Sequence, residues 1–340
     1  MYKNPITCLI IIIIVHFISI TKAVSQDIHF SQFFDAPLVR NPSLAGIFTG
    51  DIRVQSVYRS QWNSIVNSYK TGSLNAEYKL PVGKGNDFLT TGLQIIYDQA
   101  GAISWTNTSV FPAINFHKSL SSIKNQYLSL GFMGGIVQNQ IDLSKMTTNS
   151  QYDNRGTGEQ LANTKFTYLD GAIGMSFNSQ IDENIDNNFF IGLAYHHFNH
   201  SQASFYDNPS IQISPKWVGS AGLKLSLEEE RFITIHADYS IQGKYHETIG
   251  GALYGIRINT GSDMEKYILN VGGFLRWNDS FIPVIKVDRN SFSFSISYDI
   301  NFSPLKVSSE GRGGFELGLV YAGFLDRNNT TLNEVLCPRF

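Results

Sequence analysis

The chain has 340 residues, 26 Lys and Arg against 28 Asp and Glu, a net charge of −2 and 13% aromatic residues. That balance contains no basic stripe of the kind nucleic acid requires. After residue 25 no apolar run is long enough to cross a bilayer as a helix, so a helical membrane protein is excluded.

The first residues read as an export signal. Lys3 gives a positive start, and an apolar run from Ile6 to Ile20 follows, interrupted by Thr7, His16 and Ser19. It ends in small residues around Ala23 and Ser25, the pattern of a secretory signal peptide over residues 1–25. An uncleaved anchor shares the pattern, but the run is short for a membrane helix. Cleavage fits after Ala23 or after Ser25, the second leaving Gln26 first. Cys8 would leave with the signal and lies at the start of the apolar run, unlike a lipoprotein cysteine. Cys337 then stands alone, which rules out an internal disulfide or a multi-cysteine zinc site.

Residues 26–50 do not alternate and carry Pro37, Pro42 and Gly46, which argue for turns. This block is either a periplasmic lead or a plug folded into a lumen. From residue 51 the period is two. Leu74, Ala76, Tyr78 and Leu80 oppose Ser73, Asn75, Glu77 and Lys79; Phe292, Phe294, Ile296, Tyr298, Ile300 and Phe302 oppose Ser291, Ser293, Ser295, Ser297, Asp299 and Asn301. The last stretch is long enough to cross a bilayer at a barrel tilt. Such segments number about fourteen, an even count that suits a single-chain bacterial barrel. They fall near 51–59, 69–80, 88–98, 105–117, 127–138, 167–178, 188–197, 217–227, 232–242, 246–258, 267–277, 281–287, 291–302 and 315–325. The tenth and twelfth alternate poorly. Residues 326–340 form a polar tail that ends Leu336-Cys337-Pro338-Arg339-Phe340.

Loop lengths supply a partly independent check. With the barrel starting on the periplasmic side, the two longest connections, 139–166 and 198–216, both fall outside, while connections such as 81–87, 228–231 and 288–290 fall inside. Long outer loops and short periplasmic turns mark outer-membrane barrels. The apolar face carries Trp105, Trp217, Tyr267 and Trp277 near strand ends, as in interfacial girdles, and the opposite face is rich in Ser, Thr, Asn, Gln and Gly. A soluble sandwich would turn its apolar face inward; export, strand length and strand number favour an all-β, antiparallel transmembrane barrel over residues 51–325 in an outer membrane, with both chain ends periplasmic.

The motifs that could carry chemistry are weak. His196, His197 and His200 resemble a metal cluster, but neighbours on a strand point to opposite faces, and no nearby carboxylate or thiol completes a set except Asp207, far along the loop. Asp142 to Lys165, with Asp153, Asn154, Arg155, Gly156 and Gly158, lacks the ligand spacing of a calcium loop. No serine elbow, phosphate loop or metalloprotease helix occurs, so no enzyme and no cofactor is expected. Asp182, Glu183 and Asp186 crowd one inner turn and Glu228, Glu229 and Glu230 another; they are a docking surface for a basic partner or solvated turns. Arg53, Arg59, Glu77, Lys79, Lys224, His236, Asp238, Arg276, Asp299 and Glu316 fall mostly on the polar, lumen-facing side, where they set channel selectivity or pair to close the lumen. Gly250-Gly251 and Gly272-Gly273, inside strands, relieve crowding or permit bends.

Several stretches resemble a known family. QDIHFSQFFDAPLVRNPSLAG at 26–46, YRSQW at 58–62, FELGLVYAG at 315–323 and CPRF at 337–340 are similar to the PorP/SprF family of type IX secretion system membrane proteins, as are DQAG at 98–101, HHFNHSQASF at 196–205 and SYDIN at 297–301. Ala36-Pro37 and Val39-Arg40 depart from the family's pattern. The resemblance implies a non-enzymatic outer-membrane barrel of a Bacteroidetes secretion machine. It would work with periplasmic ring components and a peptidoglycan-linked partner, and would support secretion or surface attachment of cargo such as a gliding-motility adhesin. On that reading Phe30, Phe33, Phe34, Arg40 and Trp62 contact partners; the competing reading is that they pack against or within the barrel. The alternative function is a porin-type solute channel.

Overall fold

The computed structural model describes residues 27–61, 69–83, 85–121, 123–153, 158, 161, 163–259, 266–303 and 312–325. The expected signal peptide, Gln26, Trp62, Asn154, Arg155 and the tail with Cys337 lie outside the described residues. Fourteen antiparallel strands close into a barrel: β1 Ile52–Gln61, β2 Tyr69–Pro81, β3 Phe88–Ala100, β4 Trp105–Ser121, β5 Gln126–Gln140, β6 Lys165–Gln180, β7 Asn188–His196, β8 Lys216–Glu228, β9 Arg231–Gln242, β10 Tyr245–Asn259, β11 Lys266–Arg276, β12 Ser280–Arg289, β13 Phe292–Asn301 and β14 Arg312–Gly323. Each pairs with its sequence neighbour, and β1 pairs with β14 from Ile52 opposite Gly323 to Gln61 opposite Gly314. Every segment expected from the period-two pattern is a strand.

The pleat decides which residues meet lipid. Along β13, Phe292 and Phe294 are 56% and 50% exposed, whereas Ser295, Ser297 and Asp299 are buried. The apolar face is therefore the outer one, and the sealed polar face is the lumen wall. Trp105, Trp217 and Trp277 are exposed at one rim and Tyr267 begins β11 at the other. The antiparallel order puts the connections 141–164 and 197–215 on one rim, here called the long-loop rim. The short turns 82–87, 181–187, 229–230 and 290–291 lie on the opposite rim, with Asp51 and Gly323.

Residues 27–50 run inside this wall. Their partners lie on strands all round the barrel: Glu77 on β2, Asn115 on β4, Ser176 on β6, Asp238 on β9, Lys286 on β12 and Glu316 on β14. The segment is a chain of short helical turns, Phe33–Asp35, Pro37–Arg40 and Pro42–Leu44, in which Pro37 and Pro42 open their turns and the Asn41 side chain accepts from the Ser43 backbone N–H at 2.8 Å. It enters at the long-loop rim, where the Asp27 backbone N–H donates to Gln242 at 3.0 Å, and leaves at the short-turn rim beside Gly323. Asp27 and Leu325 thus sit at opposite ends of the barrel; the chain ends themselves, both expected on the periplasmic side, lie outside the described residues.

This segment also explains the two poorly alternating strands. Ile249 and Leu253 of β10 and Ile282 and Val284 of β12 face the lumen, where they pack with Phe33, Phe34 and Phe274. Those strands are apolar on both faces because one meets lipid and the other meets the segment. Crowding between β10 and β11 accounts for Gly251 and Gly272: a Cβ at either would fall on the backbone of the neighbouring strand. Gly131 of β5 lies under Pro42 and Ser43, and a Cβ there would fall on their backbone atoms. We therefore expect Gly131→Leu to keep the barrel, with its heat-dependent shift in gel migration, while residues 27–50 become cleavable by protease, at a strain cost of roughly 1–3 kcal/mol. Wild-type protection of the segment in this variant would contradict the packing described.

Candidate functional site

The lumen holds a dense set of buried charged and polar side chains, gathered around residues 27–50. Its centre is Glu316, fully buried on β14. One carboxylate oxygen accepts the Ser31 backbone N–H at 2.6 Å and the other the Gln32 N–H at 2.7 Å. The Arg59 guanidinium from β1 donates to Glu316 and reaches Asp299 of β13 at 2.8 Å. Arg276 of β11 completes the group, 3.2 Å from Asp299 and 2.8 Å from the Ser31 hydroxyl, which itself donates to Asp299 at 2.6 Å. Two arginines thus meet two carboxylates through a serine of the segment. Neither charge pair would be satisfied by the wall alone, because the segment supplies two backbone donors and a hydroxyl.

Further anchors follow along the segment. Asp35 pairs with Lys286 at 2.7 Å. Arg40 makes a two-pronged contact with Asp238, Nε to Oδ2 at 2.7 Å, and its guanidinium lies 4.8 Å from the Phe33 ring. The Arg40 carbonyl sits 3.0 Å from His196 Nε2. Near the short-turn rim Asn115 donates to the Ser43 and Ala45 carbonyls at 2.7 and 2.8 Å, the Gly46 N–H donates to Glu77 at 2.7 Å, and Arg53 closes on the same carboxylate at 2.8 Å. Gly46 is needed for two reasons: its φ is +86°, and a Cβ would strike Thr90 and His117.

At the long-loop mouth a second charged group holds Asp27. Lys216 lies 3.2 Å and His197 3.5 Å from its carboxylate, and His197 Nδ1 is 2.6 Å from Asp170. The alternating-face argument separates His196 from His197, but β7 ends at His196. A φ of +57° then returns the His197 ring to the lumen side, its centroid 6.3 Å from that of His196. Burial disfavours charge on His197, but Asp170 and Asp27 outweigh it and push its pKa up to about 9. The same cations hold Asp27 well below the usual carboxylate range against the opposing effect of burial. Among the described residues no three side chains of metal-binding type converge.

Of the five residues expected to contact partners, four are described, and all four lie in the lumen. Phe30 packs with Ala36 and Val57; Phe33 meets Phe274 edge-on at 5.3 Å; Phe34 stacks on Phe274 at 5.2 Å; Arg40 is buried on Asp238. In this state they face the wall and no outer surface. All ten charged residues assigned to the polar face are inside, and most are paired there. Ser31, Gln32 and Asp35 were not singled out from the sequence. Their signal was the density of lumen-facing charges, of which Asp238 and Lys286 take their ionic partners, Arg40 and Asp35, from the segment.

Two outcomes follow. Glu316→Ala leaves Arg59 short of a partner in a sealed site and should cost roughly 3–5 kcal/mol, read as a lowered denaturation midpoint in detergent; the double variant Arg59→Met with Glu316→Leu should recover part of it. His197 has a folded pKa above its unfolded value near 6.5. Its contribution is therefore complete below that pH and is lost as pH rises through about 9. The midpoint should fall between pH 7 and pH 10 more in the wild type than in His197→Gln.

Comparison with known proteins places this architecture. Solved structures with a similar fold include the toluene transporter TbuX of Ralstonia pickettii (7% identity, TM-score 0.48, 84% of this chain and 92% of that one). They also include a Pseudomonas aeruginosa FadL homologue (9%, 0.46, 84% and 94%) and the translocator domain of autotransporter NalP from Neisseria meningitidis (9%, 0.42, 85% and 95%). At these identities and scores the likeness carries no argument about what this chain does. No curated protein matches it. The family model for the type IX secretion system membrane protein PorP/SprF matches residues 23–321, nearly the whole barrel together with the segment that fills it. The chain belongs to the PorP/SprF family of type IX secretion system membrane proteins, and its fold is that of an outer-membrane β-barrel.

Proposed function

We propose that the protein is a closed, non-enzymatic platform of the type IX secretion machine in the outer membrane. It supports secretion or surface attachment of cargo, a gliding-motility adhesin among the candidates, and does not conduct solutes. The observation that carries this reading is the lumen itself: residues 27–50 cross it from rim to rim and are tied to strands on every side by buried ion pairs and hydrogen bonds. A barrel filled in this way offers its rims, and not its bore, to partners.

The long-loop rim is assigned to the cell exterior, in line with the general asymmetry of outer-membrane barrels. There the two longest connections are joined, the Asn163 N–H donating to the Phe205 carbonyl at 3.0 Å, and Phe205 packs on Phe166 and Trp105. This rim suits cargo, including adhesin C-terminal domains. The short-turn rim is assigned to periplasmic ring components and a peptidoglycan-linked partner. Arg257 joins two acidic turns of that rim, donating to Asp186 at 2.8 Å and to the Glu229 carbonyl at 2.7 Å, which leaves Glu183, Glu228 and Glu230 exposed on one patch. In this orientation Asp27 lies at the outer mouth, so machine contact falls to the turns and not to the N-terminal block.

In planar bilayers the purified protein should give no steady conductance; a stable open current would favour the solute-channel reading instead. In intact cells a cysteine placed at Gln202 should react with an impermeant maleimide, and one at Asn86 only after permeabilisation. Loss of the gene should block surface display of a specific cargo, and unchanged display would remove the secretion role.

A further inference from the structure

The lipid-facing side of β4 carries one charge. Phe116, Lys118 and Leu120 are exposed on the outer face, while His117 between them is sealed in the lumen wall. Strand geometry gives the depth of Lys118. Trp105, at the opposite rim, lies thirteen residues back along β4. At roughly 3.3 Å per residue and a tilt of about 40°, that stretch descends roughly 33 Å. The apolar band of an outer-membrane barrel is about 25 Å tall and is bounded by aromatic girdles. Lys118 therefore stands just past the band, level with the lipid headgroups of the leaflet on the short-turn side.

Asp87, the last residue of the turn 82–87, meets Lys118 at this level. The Lys118 Nζ donates to its Oδ2 at 2.7 Å, and the Ser119 backbone N–H donates to its Oδ1 at 2.9 Å. The hydrogen bond from Lys118 holds the Asp87 carboxyl below its ordinary range, so both groups are charged at neutral pH. An exposed pair of this kind adds little to stability. It also leaves capacity on both sides, because an ammonium has three donors and a carboxylate about four acceptor sites. A groove of about 520 Å³ opens beside the pair, between the turn and the end of β4, with Val82 and Leu120 on its walls. That volume is in the range of small-molecule sites. Phe116 and Leu130, paired across β4 and β5 and both exposed, continue the apolar surface toward the middle of the bilayer.

We propose that this groove binds the headgroup of one phosphatidylethanolamine-type lipid, its phosphate on Lys118 and its ammonium on Asp87, with the acyl chains along Phe116 and Leu130. Charge complementarity selects this occupant. A cation and an anion side by side at headgroup depth match a zwitterion, and the apolar wall beneath matches its chains. Both contacts are charge-assisted hydrogen bonds, the stronger kind. Phosphatidylcholine offers the same phosphate but no N–H for Asp87. Phosphatidylglycerol carries no cation, so its negative charge meets Asp87 unbalanced. The site does not depend on the secretion role, and its test needs no partner protein.

The test titrates the full-length protein in detergent micelles with each of the three lipids and counts bound lipid by native mass spectrometry. One phosphatidylethanolamine should be held about tenfold more tightly than either of the others, the worth of one hydrogen bond to a charged group. Asp87→Asn should remove the preference over phosphatidylcholine while keeping the phosphate contact. Lys118→Gln should weaken phosphatidylethanolamine about tenfold. Both positions are exposed, and heat-dependent gel migration checks that each variant has folded. Equal binding of the three lipids by the wild type overturns the site, as does a wild-type preference that survives in both variants. Tighter binding of phosphatidylglycerol overturns the zwitterion assignment, because the groove would then read a phosphate alone.

Discussion

A carboxylate sealed from water is tolerated only when its charge and its lone pairs are all met, because desolvating an ion costs several kcal/mol. Glu316 meets that condition through two sources at once: the Arg59 guanidinium from the wall, and the Ser31 and Gln32 backbone N–H groups from the segment. Remove the segment and the wall retains charges arranged for partners it no longer has. The same logic repeats at Glu77 with Gly46, at Asp238 with Arg40 and at Lys286 with Asp35. The interior is therefore matched to an occupant, and the occupant is part of the fold.

Barrel geometry leaves room for an occupant. About eight strands enclose a space their own side chains fill, and sixteen or more leave a water-filled channel. Fourteen strands leave a bore too wide for side chains alone. Here the extra volume is taken by the short helical turns and the chain leading into them, whose aromatic residues, Phe30, Phe33 and Phe34, pack on apolar wall patches. Those patches sit on β1, β10, β11 and β12, and Leu38 and Ala45 find a second set on β4, β5 and β6. The molecule thus has two apolar surfaces with different solvents: lipid outside and its own N-terminal segment inside.

This arrangement separates the two rims, because residues 27–50 run through the lumen from one to the other. The charged group at the mouth, Asp27 with Lys216 and His197, is the end of the segment nearest the long loops. A cavity of about 70 Å³ beside it is walled partly by the segment, through Val39.

Much of this was legible from the residues alone. Alternation determined the fourteen strands, because a side-chain period of two is a local property of extended backbone. Strand order determined which connections share a rim, and loop lengths agreed with it. Which face meets lipid was carried by export and strand length, and the burial of Ser295, Ser297 and Asp299 agrees with it. The path of residues 27–50 was not legible, since it depends on pairings such as Ser31 with Glu316 across most of the chain length, and local pattern contains no distance. The aromatic residues of that block looked like partner contacts because a sequence does not distinguish a surface from an interior that another segment fills. Only the closed barrel decided that Phe33 and Arg40 face inward and that Asp27 and Leu325 lie at opposite ends. Closure also turned the weak alternation of β10 and β12 from an ambiguity into the imprint of the plug on its wall.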